Sequence, residues 1–229
     1  MKTTMNLTTL TDDTGRFTSC RDLREFYRHF GCSGLELMPC DIRKGDQVLP
    51  PSACPVIEPD MVIGVHARCI NDWMGLDREY LVEHYRRQLD YARDMQAEYV
   101  VFHVTQVDDE EGFTYRLKHS DEEVVLAACD LINALLDGQD YPFYFLMENL
   151  WWAGLNFKNP AVTRLLIENV HYEKKGLMLD TGHFLHTNHE LKTQKEALSY
   201  LNAMLDSHRE LLPYIKGIHL QQSLTGVYV

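Results

Sequence analysis

The sequence predicts an α/β protein whose parallel strands close as a (β/α)8 barrel of the TIM type, with the eighth strand not evident. Three observations predict it. Short apolar runs alternate with amphipathic helical stretches along the chain, five of those runs end in a histidine or a carboxylate, and two further runs precede them. Runs that are apolar throughout are those of strands buried on both faces. Their alternation with helices implies parallel strands joined by right-handed crossovers. The 229 residues fit one large α/β domain, so a single domain over 1–229 is expected.

Met5 to Leu10 supplies the first strand. A helix from Ser19 to about Phe30 follows, with Leu23, Phe26, Tyr27 and Phe30 at helical spacing and Gly31 as its stop. Gly34 to Met38 is the second strand, and Met61-Val-Ile-Gly-Val-His66 the third. Between them Pro50, Pro51, Pro55 and Pro59 forbid a long helix, so Asp41 to Asp60 reads as an irregular connection. Asp77 caps a helix to about Gln96 with Leu81, Tyr85, Leu89 and Ala92 on one face. Tyr99 to His103 is the fourth strand, and Ser120 with Glu123 forms a capping box ahead of Val124, Ala128, Leu131 and Leu135.

Phe143 to Glu148-Asn149 is the fifth strand, and Asn159-Pro160 places a cap and then a first-turn proline before Leu165 and Leu166. Gly176-Leu-Met-Leu-Asp180 is the sixth strand. Thr193 with Glu196 opens a helix carrying Leu198, Leu201, Leu205 and, further on, Leu212. These stripes are expected to be core faces. Ile215 to Leu220 is the seventh strand, and the residues after it are too few for a helix and an eighth. Either the natural chain continues, or the barrel is incomplete, or a partner such as a second copy in a homo-oligomer closes it; an open sheet edge is an aggregation hazard, which favours the first and the last.

The strand ends carry the chemistry. His66, His103, Glu148, Asp180 with His183, and His219 all fall at or just past the ends of apolar runs. In an α/β barrel that rim lines the active site. Imidazole and carboxylate are the ligands of Zn, Mn, Co or Fe in catalytic centres. Spacings of tens of residues mean that the ligands meet in space. Each residue also has a plain structural reading, as a histidine bonded to a backbone carbonyl or an aspartate capping a turn; the shared position at strand ends favours ligation. Glu36 reads equally as a substrate contact or a hydrogen-bond acceptor at the rim. Asn149 orients Glu148 or contacts substrate, and Trp151 and Trp152 stack on a substrate or pack. His186 and His189 fall in a polar stretch and read as solvated.

Composition narrows the function. A net charge of −12 repels polyanions, which makes duplex DNA a poor substrate. Six cysteines without a C-x-x-C pair read as reduced thiols. The N-terminal residues lack the apolar core of a signal peptide, and no run is long enough to span a bilayer, so the expectation is a cytoplasmic protein with no membrane partner.

The chain resembles the xylose isomerase-like TIM barrels, the superfamily of sugar and sugar-phosphate isomerases and epimerases that also holds endonuclease IV of AP endonuclease family 2. The resemblance rests on His66, His103, Glu148-Asn149-Leu150, Asp180-Thr-Gly-His183 and His219-Leu220, and covers strands two to seven. In the isomerase branch it implies one divalent metal on Glu148, Asp180 and His219; the family's strand-eight glutamate has no counterpart. In the endonuclease IV branch it implies a zinc on His66, His103 and Glu148, with Glu148 bridging to a second zinc on Asp180 and His219. His183 there matches a third-zinc ligand, whose aspartate and histidine partners after strand seven are not seen. The leading expectation is a metal-dependent isomerase or epimerase of a small sugar or phosphorylated sugar, with Glu148 moving the proton and His183 contacting substrate. A two- or three-metal phosphoester hydrolase and a barrel that binds without catalysing are the alternatives.

Overall fold

A computed structural model describes residues 1–7, 14–41 and 47–221. The end of the predicted first strand (8–10), part of the proline-rich connection (42–46) and the segment after Gln221 lie outside the described residues. Seven strands hydrogen-bond in chain order in one sheet: β1 Thr4–Leu7, β2 Gly34–Leu37, β3 Val62–His66, β4 Tyr99–His103, β5 Tyr144–Glu148, β6 Lys175–Asp180 and β7 Ile215–His219. The pairs β1–β2, β2–β3, β3–β4 and β6–β7 are parallel, as buried strands separated by helices must be. No eighth strand joins this sheet among the described residues.

The helices are α1 Cys20–His29, α2 Arg78–Asp94, α3 Asp109–Thr114, α4 Asp121–Leu136, α5 Pro160–Asn169, α6 Thr181–Leu185 and α7 Gln194–Ser207. Their starts follow the caps read from sequence. Ser19 accepts from the Asp22 N–H, Asp77 from Tyr80, Asn159 from Ala161, and Ser120 and Thr193 form reciprocal boxes with Glu123 and Glu196. Each such cap satisfies helix N–H groups that have no intrahelical partner. The proline-rich connection is a short antiparallel ladder, Cys40–Asp41 with Gln47–Val48, followed by 3-10 turns at Pro51–Ala53 and Pro59–Met61.

Contacts divide the chain into two compact units. The first comprises Met1–Arg68, Val82–Phe102 and Gly138–Phe145. Leu23 and Tyr27 of α1, Leu35 and Leu37 of β2, Tyr85 and Leu89 of α2, and Phe102, Phe143 and Phe145 form its buried core. The rings of Tyr85 and Phe102 meet edge to face at 4.9 Å, a geometry aromatic quadrupoles favour. The second comprises Cys69–Leu81, His103–Asp137 and Leu146–Val229. Val124, Ala128, Ile132 and Leu135 of α4 are fully buried in it, as are Leu166 of α5 and Leu177 of β6.

Two predicted core faces are corrected, the first in that Phe30, at the end of the α1 stripe, is 62% exposed. Only Met204 of α7 is buried, and Leu198 is 60% exposed. In β7 burial alternates, and Ile218 is 60% exposed. β7 is the last strand of the sheet among the described residues.

His208, which follows α7, is buried and fully bonded: Nδ1 donates to the Met204 carbonyl at 3.1 Å, and Nε2 lies 3.1 Å from the Thr163 hydroxyl of α5. Burial lowers its pKa, against a smaller opposing effect of the Met204 carbonyl. Protonation then favours the unfolded chain, so the stability it contributes is present above about pH 6.5 and is lost as pH falls through the lower folded value. Thermal melts between pH 7.5 and 5 are expected to show falling stability, with a shallower fall in His208→Gln. Identical slopes would refute this.

Candidate metal centre

The second unit gathers seven of the nine predicted site residues. β5 delivers Glu148, β6 delivers Asp180, and β7 delivers His219 directly opposite Asp180 in the ladder. One ligand atom from each of Glu148, Asp180 and His219 lies within 4.8 Å of the others. Glu148 is fully buried and Asp180 2% exposed. Paired acids buried so deeply are costly unless countered by cations or hydrogen bonds.

Both oxygens of Glu148 face imidazole. His219 Nδ1 donates to Oε1 at 2.6 Å, and His103 Nε2 lies 2.9 Å from Oε2. The orientation of His103 is set by a relay that starts at an acceptor-only carboxylate. Asn71 Nδ2 donates to Asp109 Oδ2 at 2.9 Å, Gln106 Nε2 donates to Asn71 Oδ1 at 3.0 Å, and His103 Nδ1 donates to Gln106 Oε1 at 2.7 Å. The second nitrogen, Nε2, is thereby turned on Glu148. Two lone pairs 2.9 Å apart repel, so the gap is a site for a cation, either a proton or a metal ion. Burial alone depresses the His103 pKa, but the neighbouring Cys69 thiol and Glu148 carboxylate outweigh it and carry the imidazole well above its ordinary value.

Asp180 and His183 share one turn. Asp180 caps α6 by accepting the His183 N–H on Oδ1 at 2.7 Å, and His183 Nδ1 donates to the Asn149 carbonyl at 2.9 Å. That bond leaves the lone pair of His183 on Nε2. Burial raises the Asp180 carboxyl above the usual carboxylate range and lowers His183, which is neutral as a ligand or hydrogen-bond acceptor needs to be.

Asn149 clamps Asp180. Its side chain donates to the Asp180 carbonyl at 3.1 Å and accepts the Asp180 N–H at 2.8 Å. Trp151 donates Nε1 to the Gly112 carbonyl at 3.1 Å, and its ring lies 5.4 Å from that of His183. His186, expected to be solvated, is instead buried at 2% exposure with its ring 5.3 Å from Trp151. The reading failed because α6, a five-residue helix begun by the Asp180 cap, folds this stretch inward. His189 packs edge to face on Tyr115 at 4.1 Å.

The first unit holds the other two. Glu36 is buried at 1% exposure and accepts from Asn6 Nδ2 at 3.0 Å and from the Tyr99 hydroxyl at 2.7 Å. Tyr99 reaches it across Gly64, where any side chain would overlap the ring. His66 is 7% exposed, and Nδ1 donates to the Ala67 carbonyl at 3.1 Å, which places its lone pair on Nε2. Sequence reasoning missed Asn71, Gln106, Cys69 and Gln221. All four lie in connections, where no periodicity marks a residue as facing a ligand.

No family model and no curated protein sequence matches the chain. Solved structures do. A D-tagatose 3-epimerase-like protein is 15% identical, covering 97% of this chain and 77% of its own, with a TM-score of 0.59. The 3-keto-D-glucoside 4-epimerase of E. coli is 13% identical over 97% of this chain and 79% of its own, with a TM-score of 0.60. The structure described as AsfvAP:AG is 13% identical over 97% and 74%, with a TM-score of 0.65. The fold is therefore the one these solved structures share, an α/β TIM-barrel architecture lacking an evident eighth strand among the described residues. At these identities fold is what is shared, and function is argued from the site. No described helix is long and apolar enough to cross a membrane.

Proposed function

We propose that this chain is a divalent-metal-dependent isomerase or epimerase of a small sugar or sugar phosphate. The observation that carries the proposal is the convergence of Glu148, Asp180 and His219 from three successive strand ends within 4.8 Å. Two buried carboxylates and a half-buried imidazole match the donor set of zinc, manganese, cobalt or iron in catalytic centres. A metal there would polarise adjacent substrate oxygens and acidify the neighbouring C–H. Glu148 is assigned the proton transfer at that carbon. His183, with its Nε2 lone pair beside Trp151, is assigned a substrate hydroxyl, and Asn149 holds Asp180 in register. Glu36 and Trp151 are proposed as substrate contacts. The single domain and the cytoplasmic setting read from the sequence belong to this proposal too.

A second reading has its own support. Glu148 presents Oε1 to His219 and Oε2 to His103, the disposition of a bridging carboxylate. With a second ion on that carboxylate this describes a two-metal phosphoester hydrolase, in which paired ions clamp the attacking and leaving oxygens.

One preparation distinguishes the readings. Purified protein is expected to bind about one equivalent of metal and to interconvert ketoses, aldoses or their phosphates. Two or three equivalents with cleavage of small phosphodiesters would select the hydrolase, and no metal would select a binding barrel. Nicking of abasic-site duplex at near-physiological salt is expected to be absent, because a charge of −12 opposes phosphate contacts. Efficient nicking would overturn that expectation.

A further inference from the structure

The turn after β6 does more than present a ligand. Asp180 Oδ1 is committed to the His183 N–H, while Oδ2 accepts the side-chain amide of Gln221, two residues beyond His219. Oδ2 lies 3.9 Å from His219 Nδ1 and 3.6 Å from His183 Nδ1, so it is the oxygen turned toward the histidines. Gln221 is itself held by the two residues that follow Asp180. Its backbone N–H donates to the Thr181 hydroxyl oxygen at 3.2 Å, and its carbonyl accepts from that hydroxyl at 3.0 Å. Gly182 leaves the space across which the Gln221 side chain runs: a Cβ there would stand 2.6 Å from Gln221 Cγ and 2.8 Å from Cδ. Asp180, Thr181 and Gly182 thus all act on one glutamine.

We propose that Gln221 is a positioning residue of the metal centre, donating to Asp180 Oδ2 so that this oxygen's remaining lone pair is aimed at the ion. The inference rests on the metal-centre reading above. A carboxylate oxygen has two lone pairs, so one can accept the amide while the other binds metal. Hydrogen bonds of this kind orient ligands, and their loss costs about 10- to 100-fold in metal affinity. The Asp-Thr-Gly spacing then has a physical meaning: ligand, anchor for the Gln221 backbone, and clearance for its side chain.

Zinc titrations of wild type, Gln221→Ala, Gly182→Ala and the double variant test this, with thermal melts of each metal-free protein alongside. Each single substitution is expected to weaken zinc binding about 10- to 100-fold, since one removes the amide and the other displaces it. The double variant should bind no more weakly than the worse single, because both remove one contact. Metal-free melting temperatures should match wild type. Unchanged affinity in Gln221→Ala overturns the inference, as does full additivity in the double variant or an affinity loss matched by a lower metal-free melting temperature. If Gly182→Ala fails to fold, the Gln221→Ala titration decides alone. Wild-type protein that takes up no zinc, manganese, cobalt or iron would remove the metal-centre reading itself, whereas binding that is indifferent to Gln221 removes only this inference.

Discussion

Glu148→Gln is expected to abolish turnover and strip metal from the protein while leaving the fold intact. Glutamine keeps the volume of a fully buried side chain. Its carbonyl oxygen still accepts the His219 Nδ1–H now given to Oε1, and its NH2 donates to the His103 nitrogen that now faces Oε2. Removing the charge relieves desolvation and like-charge repulsion with Asp180, which offsets the lost attraction to His103. Metal affinity has no such compensation, because a neutral amide is a poor ligand beside a single carboxylate. Loss of a general acid or base alone costs about 10²- to 10⁴-fold in rate. Metal analysis, sugar interconversion and denaturant melts on one preparation check the three parts together. Retained metal with wild-type turnover would refute the site.

Gly154→Ala is expected to cost more than about 3 kcal/mol, by the scale of substitutions that strain backbone and overpack a core together. Gly154 has φ +115°, outside the range L side chains adopt, and a Cβ there would overlap the Val104 carbonyl oxygen and stand 2.8 Å from Val124 Cγ1. The Val104 carbonyl accepts the Leu155 N–H at 3.3 Å, and Leu150 donates back to the Leu155 carbonyl at 3.1 Å, so the turn carrying Trp151 and Trp152 is built on this residue. Gly31→Ala is the control. Its φ of +75° is also left-handed, but nothing lies within 4 Å of the added methyl, so the cost should be about 1–2 kcal/mol. Urea unfolding measures both. Equal destabilisation of the two variants would show that overlap at Gly154 is absorbed by relaxation.

Strand identity, helix starts and the ligand candidates were legible in the chain because each is a local signal. Continuous apolar runs marked β2 to β6, caps marked α1, α2, α4, α5 and α7, and the change from apolar to polar at a strand's end marked His66, His103, Glu148, Asp180 and His219. The apolar stripe of α7 was equally legible and did not tell its fate, since Leu198 is exposed where no described element covers it. Periodicity reports which side chains share a face; whether that face meets a partner is a property of the neighbours. The inward fold of His186 depended likewise on a five-residue helix held by a single aspartate cap, too short to leave a periodic trace.

What the sequence by itself determined was the set of strand ends and the chemical types placed on them, because backbone propensity and hydrophobic patterning act over a few residues. What only the tertiary structure decided was which atom of each side chain faces which. Glu148 divides its two oxygens between His219 and His103, Asp180 divides its own between a backbone N–H and Gln221, and His103 takes its orientation from a relay beginning at Asp109. These partners are separated by as many as 71 residues in the chain, as for His219 and Glu148. Hydrogen bonds are short and directional, so their pairing is settled only after packing has brought distant segments to within a few ångströms.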